Sequence, residues 1–379
     1  MSMEALLTKF NEIACNPAKQ LKDYKAKGLK AIGCMPYYVP EELVYAGGMV
    51  PFGMWGSNNK TATKAKEYCA TFYCTIAQLD LEMLLDGTMD LLDGVITPTI
   101  CDTLRPMSQN IRVSMSEKMP VIFLAHPQNR FADYGLKFTC SQYENIRKEL
   151  EAIRGAKITD DEIREAIKVY NVSRVERRRF VKLAAKHADV ITARKRCDVL
   201  KANYFMLKDE YNKMLIELNN ELEALPVCNW KGAKVVTSGI ICDNPTLLKI
   251  FEDNDVCIVA DDVAHESRSF RVDCPETAGD PMMALAMQFA AQDYDVLLYD
   301  PQSNKNRRGE FVADLCKASG ADGLVLFMQQ FCDPEEMEYP SLKKALDDAG
   351  VKYIKLGIDQ QMRDFGQAAT AIQAFAESF

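Results

Sequence analysis

Short apolar runs alternate with amphipathic stretches along the first third of the chain. Strands are predicted at residues 31–34, 50–55, 94–97 and 120–124, and helices at 40–46 and 79–85. Short continuous apolar runs suit strands that are buried on both faces, and their alternation with helices indicates parallel βαβ units. We therefore predict an N-terminal α/β lobe over residues 1–140.

The middle of the chain, residues 141–227, has a different pattern. It is nearly free of Gly and Pro and rich in Lys, Arg, Glu, Ala and Leu. Thr159 stands three residues before Glu162, as in a capping box, and the apolar positions that follow have helical spacing. Four arginines between residues 174 and 179 favour a solvated helix face, with a phosphate-contacting or docking patch as the alternative. This segment is predicted to be helical and to connect two lobes.

The last segment, residues 228–379, repeats a strand and a helix five times. The predicted strands are 233–239, 256–261, 295–299, 323–327 and 351–356. The predicted helices are 245–252, 281–290, 309–318, 340–349 and 365–375. This order is typical of a doubly wound parallel sheet. The predicted fold class is thus α/β, with two doubly wound parallel-sheet lobes joined by a helical segment.

Composition narrows the protein class. The chain has 379 residues, of which 48% are hydrophobic, and its formal net charge is −8. That charge argues against a nucleic-acid binder, which should present a basic face. No apolar run approaches the roughly 18 residues of a membrane span, and the first residues lack a signal-peptide pattern. We expect a cytoplasmic protein with no membrane partner.

The chain has 13 cysteines but none of the common cofactor motifs. Walker, dinucleotide-binding and C-x₂-C patterns are absent, and only three histidines are present. In a reducing compartment the cysteines are expected to be thiols or metal ligands, most of them small buried side chains. Cys257 and Cys316 are interpreted in that way.

Two other cysteines occupy positions where a ligand would bind. Cys101 follows the predicted strand 94–97, and Cys332 follows the predicted strand 323–327. In open α/β sheets, ligands bind beyond the carboxyl ends of the strands. Together with Cys74, they could converge on a metal centre, and thiolates favour iron–sulfur clusters, zinc or copper(I). A structural role for each isolated cysteine, or a structural zinc site, remains the alternative at this point.

Several stretches resemble one enzyme family. They are residues 34–51, residues 92–102, residues 259–262 with Ser267 and Arg268, and residues 331–334 with Tyr339 and Pro340. Their content and order resemble the 2-hydroxyacyl-CoA dehydratases and the related benzoyl-CoA reductases. The resemblance spans residues 31 to 367, which is nearly the whole chain.

The resemblance implies a heterodimer of two related subunits, each with a [4Fe–4S] cluster on three cysteines. Carried over by position, the ligands of this chain are Cys74, Cys101 and Cys332, in the cleft between the lobes. The length is similar to that of the smaller, beta-type subunit. The larger alpha-type subunit is implied to hold the acyl-CoA substrate. A separate ATP-hydrolysing iron–sulfur activator is implied to deliver one electron for a ketyl-radical dehydration, with this chain relaying it. Whether a flavin is bound cannot be read from the sequence.

Four further residues are weaker candidates for catalysis. Glu41 and Glu42 either face the site or act as acids at the start of a helix. Arg268 either contacts a CoA phosphate or carboxylate or is a surface residue, and Ser267 lies beside it. Three other functions stay open. They are a benzoyl-CoA-reductase-type subunit, an electron-transfer or structural subunit without a substrate site, and a structural zinc protein.

Overall fold

A computed structural model describes residues 1–35, 37–300 and 306–379, and within them two four-stranded sheets are entirely parallel. The first sheet contains β1 (Ala31–Cys34), β2 (Val50–Gly53), β3 (Gly94–Pro98) and β4 (Val121–Leu124). The second contains β5 (Ala233–Gly239), β6 (Val256–Val263), β7 (Gly323–Gln329) and β8 (Tyr353–Ile358). The predicted α/β class with two parallel-sheet lobes is confirmed.

Both sheets have the same topology. The strand orders are β2-β1-β3-β4 and β6-β5-β7-β8. In each sheet the next two strands along the chain lie on opposite sides of the first one, and the strand order therefore reverses beside β1 and beside β5. Cys34 is in register with Ile96 across the first switch, and Gly239 is in register with Phe327 across the second. Ligands of open α/β sheets bind at such switch points. Residues that directly follow β1, β3, β5 and β7 are therefore well placed to form a site.

Five helices accompany the first sheet, and four more fill residues 133 to 223. The first five are α1 (Met3–Cys15), α2 (Pro17–Ala26), α3 (Glu41–Ala46), α4 (Thr75–Leu85) and α5 (Leu104–Met115). The next four are α6 (Asp133–Arg154), α7 (Asp160–Lys186), α8 (Ala193–Ala202) and α9 (Lys208–Glu223). The capping box of Thr159 and Glu162 is present at the start of α7. The domain boundaries near residues 140 and 227 remain a prediction.

The helices around the second sheet begin close to the strands that precede them. They are α10 (Pro245–Asp253), α11 (Pro281–Ala291), α12 (Arg307–Ser319), α13 (Asp333–Asp348) and α14 (Gly366–Ala376). Helix α13 begins directly after Cys332 rather than at residue 340, with Pro340 inside it. Likewise, α4 begins directly after Cys74 rather than at residue 79. Two of the candidate cysteines thus lie at helix starts.

The prediction of a fifth strand at residues 295–299 is wrong, because this segment forms turns. Arg130 supplies the physical reason. Its guanidinium donates to the carbonyl oxygens of Ala290 at 3.2 Å, Gln292 at 2.5 Å and Tyr299 at 2.7 Å. Of these acceptors, Tyr299 lies in the segment and Ala290 and Gln292 lie before it, so one buried side chain bonds the backbone on both sides of the turn. An apolar run alone does not distinguish a strand from a segment of turns whose backbone is bonded by a side chain.

The largest hydrophobic core joins the first sheet and the helical segment to residues that directly follow β5 and β6. It includes Phe52 of β2, Phe180 of α7, Tyr211 of α9 and Ile240 just after β5. Helix α1 packs against α8 and α9 rather than only against its own sheet. Among the described residues, no helix combines the length and the apolar composition that crossing a membrane requires.

Candidate functional site

The three cysteines predicted as ligands line a single cavity of about 70 Å³. Cys74 precedes α4, Cys101 lies between β3 and α5, and Cys332 lies between β7 and α13. The rest of the wall is mainly apolar and includes Trp55, Ile76, Leu104, Ile240, Leu297 and Pro334. The fold therefore brings thiols from three distant parts of the chain to one place, which we call the cysteine cavity.

Each of these thiols lies at the amino-terminal end of a helix. Cys74 and Cys332 are the N-cap residues of α4 and α13. The N–H of Leu104, at the start of α5, donates to Cys101 Sγ at 3.4 Å. Backbone N–H groups in the first turns of α4 and α13 approach the other two sulfurs in the same way. Helix starts carry partial positive charge and free N–H groups. The starts of α4, α5 and α13 therefore all favour negative charge in the cavity.

Burial nevertheless keeps these thiols protonated in the absence of a cation. It raises the pKa of Cys74 to about 12, raises that of Cys101, and raises that of Cys332 well above its ordinary value. The proximity of the cysteines to one another adds to the rise for Cys74 and Cys332. A bound metal would instead favour the thiolate form of the three cysteines, since cysteine ligands are deprotonated on coordination.

A different trio has the compact geometry of a single-ion site. Cys197, His265 and Glu266 are buried and place their ligand atoms within 4.8 Å of one another, the one such group among the described residues. His265 Nε2 has no hydrogen-bond partner there. This trio could hold a metal ion. Glu266, however, is already ion-paired with the buried Arg196, whose positive charge opposes a second cation. The sequence signal for this group is weak, because Cys197 lies in α8, far along the chain from the adjacent His265 and Glu266.

The three cysteines of the cysteine cavity do not form a group of that compactness. Thiolates bound to one tetrahedral zinc ion stand about 3.8 Å apart, because each Zn–S bond is about 2.3 Å long. The wider arrangement suits a larger inorganic group better than a single zinc ion. The donor set, three thiols facing helix starts, fits an iron–sulfur cluster.

A second cavity of about 120 Å³, which we call the polar cavity, adjoins the first. Tyr37 and Trp55 line both cavities and form the wall between them, with their ring centroids 6.1 Å apart. Charged and hydroxyl side chains of the polar cavity include Glu41, Glu42, Tyr170, Arg174, Arg177 and Lys208.

Glu41 and Glu42 lie at the start of α3 and line the polar cavity, not the cysteine cavity. Glu42 is buried and forms an ion pair with Arg174. Glu41 accepts a hydrogen bond from the Tyr170 hydroxyl at 3.2 Å and lies 3.4 Å from Lys208 Nζ. Both carboxylates are therefore engaged by cations from the helical segment.

The arginine run of α7 is not the wholly solvated face that its pattern favoured. Arg174 and Arg177 are buried and line the polar cavity, whereas Arg178 and Arg179 form ion pairs nearer the surface. Helical periodicity explains the difference, because residues three apart share a face and their neighbours do not. The spacing of the arginines can be read from the sequence. The cavity that Arg174 and Arg177 line cannot, because other elements form it.

Tyr37 and Tyr38 have left-handed backbone conformations, with φ of 91° and 57°. Such values are rare for bulky residues and need support from the surroundings. Both hydroxyls donate to Asp295 Oδ2, at 2.6 and 2.7 Å. Asp295, which is itself buried, thus anchors the wall between the cavities.

Arg268 is buried in an ionic network rather than exposed to a CoA phosphate. It bonds Asp262 and Glu335, and Arg308 contacts the same two carboxylates. Burial alone would raise the pKa of Asp262, but Arg268, Arg308 and Arg271 hold it well below its usual range. Ser267 donates to the backbone oxygen of the preceding Asp261 at 2.6 Å, so its hydroxyl shapes the turn.

Known proteins resemble this chain in sequence over nearly its whole length. The family model described as "2-hydroxyglutaryl-CoA dehydratase, D-component" matches residues 36–379. The chain is 59% identical to the beta subunit of (R)-2-hydroxyglutaryl-CoA dehydratase from Acidaminococcus fermentans, over the whole of both chains. It is 43% identical to the beta subunit of (R)-phenyllactyl-CoA dehydratase from Clostridium sporogenes, over 97% of each chain.

A third relative, the beta subunit of lactoyl-CoA dehydratase from Anaerotignum propionicum, is 39% identical over 99% of each chain. The three relatives share a 2-hydroxyacyl-CoA dehydratase description but differ in their acyl groups. With a family match over most of its length, the chain belongs to the 2-hydroxyglutaryl-CoA dehydratase D-component family.

Proposed function

We propose that this chain is the beta-type, iron–sulfur subunit of a heterodimeric (R)-2-hydroxyacyl-CoA dehydratase. The observation that carries the proposal is the convergence of Cys74, Cys101 and Cys332 on one cavity at three helix starts. The reaction is the conversion of (R)-2-hydroxyglutaryl-CoA to glutaconyl-CoA. The highest identity reported above, to a 2-hydroxyglutaryl-CoA dehydratase subunit, supports that choice of acyl group.

The cysteine cavity suits a [4Fe–4S] cluster bound by three thiolates. Such a cluster carries net negative charge, which the N–H groups and partial positive charges of α4, α5 and α13 would stabilise. Burial disfavours free thiolates here, so the cluster's iron would be what holds the three sulfurs ionised. When bound, the cluster supplies one-electron redox chemistry. The apolar wall of the cavity would keep water away from it.

The size of the two cavities supports an electron-relay role over a substrate-binding role. Pockets that bury drug-sized ligands measure roughly 300–1,000 Å³. The cavities of about 70 and 120 Å³ are too small to enclose an acyl-CoA. The larger, alpha-type subunit would therefore hold the substrate. This chain would accept an electron from the ATP-hydrolysing iron–sulfur activator and pass it on.

In the proposed reaction, one electron converts the thioester carbonyl into a ketyl radical anion. That radical expels the neighbouring hydroxyl as hydroxide, and loss of a proton from the next carbon follows. Return of the electron leaves the enoyl-CoA, so the overall change is the loss of water with no net oxidation. ATP is consumed in sub-stoichiometric amounts because the same electron serves many turnovers.

The alternatives make different predictions for the purified protein. A structural zinc protein would be colourless and free of acid-labile sulfide, and the wide spacing of the cysteines argues against it. A benzoyl-CoA-reductase-type subunit would support ring reduction rather than dehydration. A purely electron-transferring subunit is compatible with the small cavities. Neither cavity is large enough to enclose the three-ring system of a flavin.

Anaerobic reconstitution tests the proposal. This chain, the larger related subunit, the reduced activator, ATP and Mg²⁺ are combined with (R)-2-hydroxyglutaryl-CoA, and glutaconyl-CoA formation is followed. Turnover should require every component and should stop on exposure to oxygen. (R)-Phenyllactyl-CoA and lactoyl-CoA, tested in parallel, would establish the acyl preference. Full turnover by this chain alone, or without an electron donor, would instead indicate ordinary acid–base dehydration.

A further inference from the structure

The polar cavity contains a buried cation that has no carboxylate partner among the described residues. Arg177 of α7 is only 4% exposed. Its Nε donates to the Ser173 carbonyl oxygen at 3.3 Å, and its Nη1 donates to Ser269 Oγ at 3.2 Å. Its Nη2 forms no hydrogen bond within the described part of the chain. The guanidinium thus has both charge and donor capacity left for a ligand.

The neighbouring cations are already neutralised. Arg174 pairs with Glu42, and Lys208 pairs with Glu41 at 3.4 Å. Arg268 belongs to the separate network of Asp262 and Glu335. Arg177 therefore leaves the polar cavity with one positive charge in excess.

Leaving this charge unpaired is energetically unfavourable. A buried ion without a partner loses its hydration and gains no compensating attraction in return. Burial and the nearby Arg174 accordingly lower the pKa of Arg177. The guanidinium lies 4.8 Å from the centroid of the Phe270 ring, and a cation–π contact compensates only part of the lost hydration. Arg174 Nε, on the same cavity wall, is also buried without a hydrogen-bond partner.

We propose that the polar cavity binds a small monocarboxylate, with the Arg177 guanidinium as its charge partner. A planar guanidinium matches a carboxylate through two parallel hydrogen bonds, so the unused donors favour this anion over a spherical one. The cavity of about 120 Å³ equals roughly four water volumes, which is enough for an acid of acetate size. The bound acid would lie across Tyr37 and Trp55 from the cysteines. This site is additional to the dehydratase role proposed above.

A tryptophan reporter allows the binding to be measured without enzymatic turnover. The chain has two tryptophans, so Trp230→Phe leaves Trp55, which lines both cavities, as the single reporter. The full-length chain is purified anaerobically with its iron. Sodium acetate is then exchanged for sodium chloride at constant ionic strength, while Trp55 emission and the unfolding midpoint are recorded.

We expect acetate to change Trp55 emission saturably and to raise the unfolding midpoint. Adding Arg177→Gln should weaken acetate binding at least tenfold. The matched control is Arg178→Gln, on the same helix, whose partner Asp273 is nearly half exposed, and it should bind acetate as the parent does. If Arg177→Gln does not fold, Arg177→Lys replaces it. That variant keeps the positive charge but loses the planar pair of guanidinium donors, and it should also bind acetate more weakly.

Three results would overturn the proposal. They are no saturable response of the parent to acetate, an equal response to chloride, and unchanged acetate affinity in the folded Arg177 variant. Since none of these readouts depends on dehydration, failure here leaves the dehydratase proposal untouched. Failure of the reconstitution would likewise leave the carboxylate site standing.

Discussion

Arg268 and Glu335 form a buried ion pair, 3.3 Å from Nη2 to Oε1, that joins the turn after β6 to the first turn of α13. Glu335 also contacts Arg308 at 3.2 Å, and its backbone N–H faces Cys332 Sγ. One residue thus links the ionic network of the second sheet to the helix start that presents a candidate ligand. The network consequently fixes where Cys332 lies.

Replacing Glu335 tests this link. Glu335→Gln should lower the free energy of unfolding by about 2 kcal/mol, because it removes one of the two carboxylates that the buried Arg268 and Arg308 share. Asp348→Asn on the same helix is the control. Its pair with Lys344 is well exposed, so the change should cost less than about 0.5 kcal/mol. Urea unfolding under anaerobic conditions measures the free energy of unfolding of both variants. Equal losses would show that the buried ion pair stabilises the protein no more than the exposed one.

Removing single cysteines tests the ligand assignment. Cys74→Ala, Cys101→Ala or Cys332→Ala should abolish the brown colour and reduce iron from about four atoms per chain to near zero. Cys257→Ala and Cys316→Ala, at buried positions outside the cavity, should keep the iron. Iron and acid-labile sulfide analysis of the anaerobically purified variants shows which of them retain the cluster. A Cys101 variant with its full iron complement would refute the assignment.

His126 should make stability depend on pH. Burial lowers the pKa of His126 to about 4, against an ordinary value of 6.5. The unfolded chain therefore binds a proton that the folded chain does not, and stability is lost as the pH falls from about 6.5 towards 4, by up to roughly 3 kcal/mol.

His126→Phe provides the comparison, because the ring already packs against Phe289 with a centroid distance of 4.8 Å. The wild type should lose more stability than the variant between pH 7 and pH 5 in urea unfolding. The difference between the two proteins isolates this histidine from other acid-sensitive groups. Parallel pH profiles would mean that His126 is not the source.

Gly239 is predicted to be intolerant of a side chain. It ends β5 with φ of 152°, and an added Cβ would lie 2.5 Å from the backbone oxygen of Phe327. Gly239→Ala should therefore destabilise the protein by about 2 kcal/mol or more, and should disturb the adjacent Ile240 on the wall of the cysteine cavity.

The matched control is Gly357→Ala on β8 of the same sheet. An added Cβ there meets no atom within 4 Å, so the change should be nearly neutral. Thermal unfolding of both variants, with iron content as a second readout, tests the comparison. A neutral Gly239→Ala would show that the backbone there can shift without cost.

Local signals explain which features could be predicted from the sequence. Apolar runs located the eight strands, and the capping box located the start of α7. The carboxyl-end rule for parallel sheets pointed to Cys101 and Cys332, whereas Cys74 was assigned through the family resemblance.

The features that were missed depend on long-range partners. Residues 295–299 have a strand-like apolar pattern, but Arg130 bonds the backbone carbonyl of Tyr299 and two tyrosines hold Asp295. The inner face of the arginine run could not be separated from a solvated face, because the cavity it lines is formed by other elements. Nothing local in the sequence indicates that Cys197, His265 and Glu266 meet.

The cysteine cavity also constrains the order in which the protein can mature. Its walls come from residues as early as Tyr37 and as late as Pro334. A ribosome that has made only the first lobe and the helical segment has supplied two of the three thiols, and α13 does not yet exist. Loading of the proposed cluster would therefore follow translation of almost the entire chain. Once loaded, the metal would fasten the first lobe to the last, so release of the metal should loosen the two lobes from each other before either one unfolds.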